Sequence, residues 1–587
     1  MNLLENPIIH PIFQIIITFV LCSGILNFGR IINNLLFKSF NYNFFNLSIG
    51  SIIISQIIFT SFLIKTLNPL LTLVSIFLVT LGLINLKFFV EIKSLLKKLI
   101  KSDNKTFLVI ATFFLIFFII SLAPPSMTDA LDYHYGVPLN IIKFSNFPNQ
   151  DAWLSGSLFG YSEMLNIIPL NLKTDNFFSF FQLLSLVFFF EYFYKKKINA
   201  NILFYSILFI ICSPVFLFLI SGPKALLFPQ LLTAMALYLF VKNKKYDRRK
   251  IIFISILLIS ATQFKLSFIL SGAVIGVLIL IKIFKNDKIT ILNLALITCL
   301  IFSPKIFYNY NQVSPFEFLN ILTTTPKYVL DYLVNFKDNN FYYPLNLFIP
   351  SSIGHVSTIL GFQLIILFLL KKVSKNFKKI LVITLFSIIL HFIFGQQTSR
   401  IYFEFIIWIS VGLLFLKKNF LDKKYFYYIL TPQLIFIFIS SLYFAINTIP
   451  TLLDLEQRNK FMQNNTYEFS GIEWVNKNIP NNTTLISNLR SISLFTNRVI
   501  PHEDLLNYSD KKERYINLLK SIRPNFYVTK QKNTEYSFLK NCLGNLYKES
   551  NEFSQEKRNP FGNTNKYKIY IYIFNYENLN FCANLEK

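Results

Sequence analysis

Hydrophobic residues arrive along this chain in long runs, and polar residues gather in the short breaks between them. A helix needs about 20 apolar residues to cross a bilayer. Runs of roughly that length fall at 8–29, 46–65, 67–90, 106–123, 177–194, 201–220, 223–241, 251–264, 266–284, 289–308, 352–370, 380–395, 401–416 and 425–446. They predict a mostly α fold, a polytopic transmembrane helical bundle of about 12–14 spans. The breaks carry the charge. Lys93, Lys97, Lys98, Lys101 and Lys105 precede the fourth run, and Lys195, Lys196 and Lys197 follow the fifth. Further clusters stand at 242–250, at Lys282, Lys285 and Lys288, at 371–379 and at 417–424. From residue 91 onward every second break is cationic. By the positive-inside rule those breaks face the cytoplasm. The alternate breaks, among them 124–176, 309–351 and 395–400, are expected on the outer side, with everything after about 447.

The pattern changes near residue 450. A short helical stretch holds Glu473, Trp474 and Val475; Thr484 to Ser487 and Phe526 to Val528 read as strands; Ile516 to Ile522 reads as helix, and Lys568 to Phe574 as strand. Alternating helix and strand over some 130 residues predicts a small extracytoplasmic α/β domain at 450–587. The expected division is then 1–105 as additional N-terminal transmembrane helices, 106–449 as a transmembrane core with the external loop 124–176, and 450–587 as the outer domain. Within that loop, 137–144 and 159–172 are expected to lie in the membrane interface.

Composition supports the membrane reading and removes one rival. Hydrophobic residues make up 53% of the 587, and the mean hydropathy is +0.49. The net charge of +27 suggests nucleic acid at first sight, but the lysines sit in short breaks between spans, where topology explains them. No nucleic-acid partner is expected. The localisation expected is the cell inner (cytoplasmic) membrane, multi-pass. Of five cysteines, Cys542 and Cys582 both fall in the polar tail and are expected to pair if that tail faces an oxidising compartment.

Candidate chemistry concentrates at 124–134, Pro-Pro-Ser-Met-Thr-Asp-Ala-Leu-Asp-Tyr-His, directly after an apolar run. Thr128 is expected as an N-cap, with Asp129 in the first turn and Asp132 and Tyr133 on the same helical face. A carboxylate pair at the lip of a membrane is a candidate acid/base site; the plainer reading has Asp129 complementing a helix dipole and Asp132 facing water. Four cations stand at the outer ends of spans against the topological trend: Lys224, Lys265, Lys305 and Arg400. With Asp129, Asp132, His134 and Glu163 they are candidates to line one cavity suited to a phosphate. Plainer readings exist here too. Arg400 has Glu404 one turn later as an ion-pair partner, Lys265 is placed to snorkel, and Lys224 and Lys305 read as structural. Glu163 also fits a solvated interfacial residue, and His134 a member of an aromatic belt.

The order of these motifs resembles the polytopic glycosyltransferases of the C-type superfamily (GT-C), relatives of protein O-mannosyltransferases and lipid A aminoarabinose transferases. Pro-Pro followed by Asp-Ala-Leu-Asp-Tyr-His resembles the first external loop of that family. Tyr161-Ser-Glu-Met-Leu resembles its Glu-Met-Leu motif, and Thr262-Gln-Phe-Lys its lysine at the start of a span. Ser303-Pro-Lys-Ile-Phe-Tyr-Asn-Tyr with Ser314-Pro315-Phe316, and then Arg400-Ile-Tyr-Phe, resemble two later motifs. The chain departs from the pattern where the region of Lys224 replaces an acidic residue, where Tyr308 replaces an arginine, and where three extra spans precede the core.

The resemblance implies a transferase that moves a hexosyl or pentosyl group from a polyprenyl-phosphate carrier to a glycan, lipid or protein acceptor at the outer face. Asp129 would be the general base; Asp132, Tyr133, His134, Glu163, Lys265, Lys305 and Arg400 would bind substrate. The sugar carrier enters as donor substrate, with no certain cofactor, no assigned metal ligand, and a divalent metal left open. The rivals are a transporter or flippase of lipid-linked saccharide, an O-antigen ligase or polymerase, and a non-catalytic scaffold.

Overall fold

The computed structural model describes residues 10–85, 105–145, 153, 159–243, 247–284, 287–312, 344–350, 358–371, 373–396, 398–416, 423–502, 509–530, 532, 539, 542–555 and 565–579. The chain is mostly α: a polytopic helical bundle with a small C-terminal α/β unit. Among the described residues, eight helices are long and apolar enough to cross a membrane. They are Pro11–Leu36, Asn43–Leu63, Leu67–Ile84, Phe177–Lys195, Leu266–Phe284, Lys288–Tyr308, Lys375–Phe394 and Tyr425–Leu453. Shorter helices, Lys105–Ser121, Leu227–Lys242, Arg248–Phe264 and Ser399–Leu413, pack among them. The protein is a multi-pass membrane protein.

Two of the predicted runs fold differently. The run at 201–220 breaks into Ala200–Ile211 and Pro214–Ile220, bent by 79°. Pro214 has no N–H for the helix, and its ring excludes the preceding turn. The backbone and hydroxyl groups at the break are met by another segment: Val215 N–H donates to Ile359 O at 3.0 Å and Ser213 Oγ to Leu360 O at 2.6 Å. The run at 352–370 does not continue as an α-helix. Gln363–Leu369 is a 3-10 helix, preceded by Gly361 at φ +92°, while 351–357 lie outside the described residues. A positive φ is outside the helical range and is open to glycine, and Gln433 Oε1 accepts the Phe362 N–H at 2.9 Å.

The segment expected in the interface at 159–172 is instead interior. Helix Tyr161–Asn171 is buried along its length to Leu170. It packs on Asn43–Leu63, and Ser55 Oγ donates to Tyr161 O at 3.1 Å. Its polar residues Ser162 and Glu163 find partners inside the protein, which is what permits burial.

The C-terminal unit holds helices Leu455–Asn465, Phe469–Asn478 and Ser509–Ile522 and a five-stranded sheet. The strands are β1 (Thr484–Ser487), β2 (Arg498–Pro501), β3 (Phe526–Thr529), β4 (Leu543–Glu549) and β7 (Tyr570–Phe574), in the order β2-β1-β3-β7-β4. β1 runs parallel to β2 and β3, and β7 antiparallel to β3 and β4. A separate ribbon joins β5 (Phe553–Gln555) to β6 (Asn565–Tyr567). Cys542 is disulfide-bonded; Cys582 lies outside the described residues, and Cys22, Cys212 and Cys299 are free.

One core cluster joins this unit to the bundle. Leu131, Tyr135, Leu139 and Leu170 are buried together with Phe469, Ile472, Val475, Leu494 and Phe495. Lys143 Nζ adds a bond to Phe495 O at 3.1 Å, and Arg458 pairs with the buried Asp175. This docking places the sheet over the 124–134 segment.

Candidate functional site

The helix that ends at Ser121 is followed by Pro124 and Pro125, and the chain turns back into helix at Thr128. Thr128 is therefore inside the first turn and not its cap. From Ala130 to His134 the turn widens to π geometry, closed by Tyr135 N–H to Ala130 O at 2.9 Å. Such widenings are rare and recur at functional sites.

Asp129 is held by three cations from three distant segments. Lys224 Nζ lies 2.6 Å from Oδ2, Arg400 Nη1 3.4 Å from Oδ2, and Arg490 Nη2 3.2 Å from Oδ1. Burial alone would raise this carboxyl; Lys224 first, then Arg400 and Arg490, hold it well below the usual carboxylate range. Lys224 is buried, which draws its ammonium down to about 8 against the pull of Asp129. The turn carrying Lys224 comes close because Gly222 has no side chain: a Cβ there would stand 2.3 Å from Met127 Sδ.

Asp132 is buried beside it. Trp153 Nε1 donates to its Oδ1 at 3.0 Å, and Arg490 Nη2 reaches its Oδ2 at 3.2 Å. One guanidinium thus bridges both acids, which face the same side as the spacing predicts.

A second group lies on the other side of the turn. His134 Nδ1 is 2.5 Å from Glu163 Oε1, and both side chains are buried. Burial pulls the imidazole down to about 4, with Glu163 opposing. The Glu163 carboxyl is itself held below its ordinary value by His134, against the opposite effect of burial. The neutral ring then donates Nδ1–H to an ionised Glu163. The other Glu163 oxygen accepts Gly160 N–H at 2.7 Å and lies 2.7 Å from Ser162 Oγ. Gly160 packs against the end of Arg248–Phe264, where a Cβ would meet Gln263 O at 2.2 Å. That contact brings Glu163 near Lys265. Lys265 Nζ lies 5.1 Å from the centre of the Tyr133 ring and 3.4 Å from its hydroxyl. The Tyr133 and His134 rings are 4.1 Å apart between centroids.

Direct contacts therefore link Asp129, Asp132 and Arg400 on one side, and Tyr133, His134, Glu163 and Lys265 on the other. Lys305 lies 3.9 Å from the Phe159 ring centre and donates to Phe159 O at 3.2 Å, within the electrostatic reach of Glu163. Glu404 is not the partner of Arg400. Its two oxygens take Thr233 Oγ1 and Ser271 Oγ, each at 2.5 Å, inside the bundle. Two contributors escaped the sequence reading: Arg490 lies in a polar tail with many cations, and Trp153 has no patterned neighbour. Lys224, one of the four outer cations and also readable as structural, joins Asp129 directly. Ser314, Pro315 and Phe316 lie outside the described residues.

Among the described residues no three His, Cys, Asp or Glu side chains converge to hold a metal ion. Asp129 and Asp132 meet the cationic side chains of Lys224, Arg400 and Arg490.

No curated protein matches this chain in sequence. The crystal structure of ArnT from Cupriavidus metallidurans bound to undecaprenyl phosphate superposes at a TM-score of 0.46 and 9% identity, over 79% of this chain and 97% of that one. At that level the likeness carries no argument about this chain. A family profile described as the DUF1420 N-terminal domain matches residues 92–446, more than half of the sequence, and the chain belongs to the DUF1420 family.

Proposed function

We propose that this protein is a membrane glycosyltransferase of the C-type superfamily, moving a sugar from a polyprenyl-phosphate carrier to an acceptor at the outer face of the cytoplasmic membrane. The observation that carries the reading is the contact of Lys224, Arg400 and Arg490 with one carboxylate, Asp129, at the end of an apolar bundle. Such a cluster can hold a phosphate and a base within reach of each other.

In this reading the acceptor oxygen bonds to the anomeric carbon while the bond from that carbon to the phosphate oxygen breaks. The bonding pair leaves with the phosphate, and the acceptor proton passes to Asp129. With its cations in place Asp129 is a weak base. A donor phosphate that draws Lys224 and Arg400 toward itself weakens their hold on the carboxylate and raises its basicity. The same cations then stabilise the phosphate as it departs. Lys265 and Tyr133 are assigned to the donor, and Asp132, with the His134–Glu163 pair behind it, to holding the turn and the acceptor. Lys305 is assigned to the rim beside Phe159. We assign the sheet-bearing unit to the extracytoplasmic side of the membrane, in keeping with the lysine alternation.

A crevice of about 240 Å³ between the helices Arg248–Phe264, Ile269–Phe284 and Lys288–Gln312 supports a lipid-borne donor. Thr262, Gly272, Gly276 and Phe302 help line it, and Lys265 lies between two of the helices that form it. We assign it to part of the prenyl chain.

The test is Asp129→Asn in full-length protein, assayed for sugar transfer from native lipid donors. A loss of about 100-fold or more is expected, the usual scale for removing a general base. Retained activity removes the assignment. A flippase reading has one observation in its favour, the 79° break between Ile211 and Pro214. Transbilayer movement of a lipid-linked sugar in vesicles, with no transfer, would favour it.

A further inference from the structure

Arg490 differs from the other cations around Asp129 in where it comes from. It lies just beyond the carboxyl end of β1, in the turn before the short helix Ile492–Leu494. The crevice beyond the carboxyl ends of parallel strands is where open α/β sheets place ligand contacts, and β1 and β3 run parallel here.

The turn is fixed from behind. Arg490 N–H donates to Glu468 Oε2 at 2.7 Å, and Glu468 Oε1 takes Lys530 Nζ at 2.5 Å, just past the end of β3. Lys530 also donates to Tyr467 OH at 2.7 Å, and Ser491 Oγ to Tyr467 O at 2.8 Å. Glu468 is held at φ +65°, a left-handed backbone unusual for a residue with a side chain. Leu489 and Leu494 on either side are buried in the core shared with Leu131 and Tyr135. The backbone of the turn is thus anchored to the bundle, while the guanidinium reaches out across both acids.

The exposures differ in a way that matters. The Arg490 side chain is 52% exposed, whereas Asp132 is 6% exposed and Asp129 25%. The acids are the fixed partners, and the guanidinium is the part with room to swing. A long side chain on an anchored backbone can change partners by rotamer alone.

We propose that Arg490 is a positioning residue, a latch by which the C-terminal unit holds Asp129 and Asp132 together and which swings to the phosphate of an incoming lipid donor. The transfer to phosphate rests on the function proposed above; the latch itself rests on the geometry. The sheet-bearing unit then forms part of the donor site.

Two measurements on the full-length protein in detergent test it. The first compares binding of undecaprenyl phosphate with that of undecaprenol. Wild type should prefer the phosphate, Arg490→Ala should lose roughly tenfold of that preference, and Arg490→Lys should keep part of it. If Arg490→Ala only lowers the melting temperature and leaves the preference intact, the residue is structural and the swing is wrong. If wild type shows no preference, the donor reading fails together with the swing. The second measurement needs no ligand. Hydrogen exchange over 488–495 should rise in Arg490→Glu and return toward wild type when Asp132→Arg is added. Unchanged exchange in Arg490→Glu overturns the latch itself.

Discussion

Lys224 Nζ and Asp129 Oδ2 lie 2.6 Å apart across 95 residues of sequence, the lysine almost fully buried and the carboxylate a quarter exposed. The buried ammonium depends on this partner, whereas Asp129 also meets Arg400 and Arg490. A lone buried ammonium or carboxylate costs several kcal/mol, so the pair fixes the Lys224 turn over the 124–134 segment.

Lys224→Ala removes the nearest cation from Asp129 and leaves Arg400 and Arg490. Loss of one charge-assisted contact, about 1.5–3 kcal/mol, should lower transfer roughly 10- to 100-fold. The ammonium is drawn down to about 8, so its charge falls away as pH rises through that value. Affinity for a phosphate ligand should decline above about pH 8 in wild type. Bound phosphate opposes the loss, so the decline should move to higher pH in the complex. Lys224→Arg, which stays charged, should shift the alkaline limb upward. Titration of undecaprenyl phosphate binding from pH 7 to pH 10 checks both points; an identical limb in Lys224→Arg would refute the assignment.

Glu163→Ala takes the acceptor from His134 Nδ1, from Gly160 N–H and from beside Ser162 Oγ. Each buried group left without a partner costs about 1–3 kcal/mol, so a strong fall in thermal stability is expected, larger than for Glu163→Gln. The pair also sets a pH dependence. The imidazole lies at about 4 in the folded protein against 6.5 ordinarily. Between those values the unfolded chain binds the extra proton, so stability falls as pH drops from 6.5 toward 4. The depressed Glu163 carboxyl acts in the same direction: its contribution is present above 4.5, its ordinary value, and is lost as pH falls through the folded one. Melting curves across pH 4–7 should show the slope in wild type and a shallower one in His134→Gln.

Gly160→Ala places a methyl group 2.2 Å from Gln263 O and 3.0 Å from Phe264 O. Both are backbone atoms, so the helix Tyr161–Asn171 must shift away from the end of Arg248–Phe264. We expect a loss of about 1–3 kcal/mol and a fall in activity, as Glu163 and Lys265 separate. Gly276→Ala is the control for stability alone, since Gly276 lines the crevice assigned to the prenyl chain: nothing lies within 4 Å of its Cβ position, and removing a helical glycine should leave the melting temperature unchanged or raised. Equal effects of the two substitutions would refute the packing argument.

The bundle was legible because apolar runs and lysine-rich breaks repeat at the scale of a membrane span, and backbone satisfaction in lipid leaves helices as the outcome. Three strands of the tail's sheet, β1, β3 and β7, were legible from short β-branched and aromatic runs such as Tyr570–Phe574, while β2 and β4 were not. The acid pair stood out because Asp129 and Asp132 interrupt an apolar neighbourhood. Of their partners, Lys224 and Arg400 stood out only as cations on the outer side, and Arg490 and Trp153 not at all. Lys224 and Arg490 are separated from Asp129 by 95 and 361 residues, and no local spacing encodes a contact made by docking. Arg400 illustrates the opposite error: a nearby glutamate at helical spacing looked like its partner, yet Glu404 faces the interior hydroxyls of Thr233 and Ser271. Helix spacing states which residues share a side, while the packing of neighbouring helices decides what that side meets. The residues Ala130–His134 carry the pattern of an ordinary helix, because the widened geometry of the turn leaves no mark in residue type.

The hydrophobic cluster that contains both Leu131 and Ile472 bears on how this protein is dissected. Expressed alone, the tail would carry an oily scar where Leu131, Tyr135, Leu139 and Leu170 had been, and the truncated bundle would carry the matching one. Two clumping fragments are the expected products of such a cut, so the gene is better studied whole.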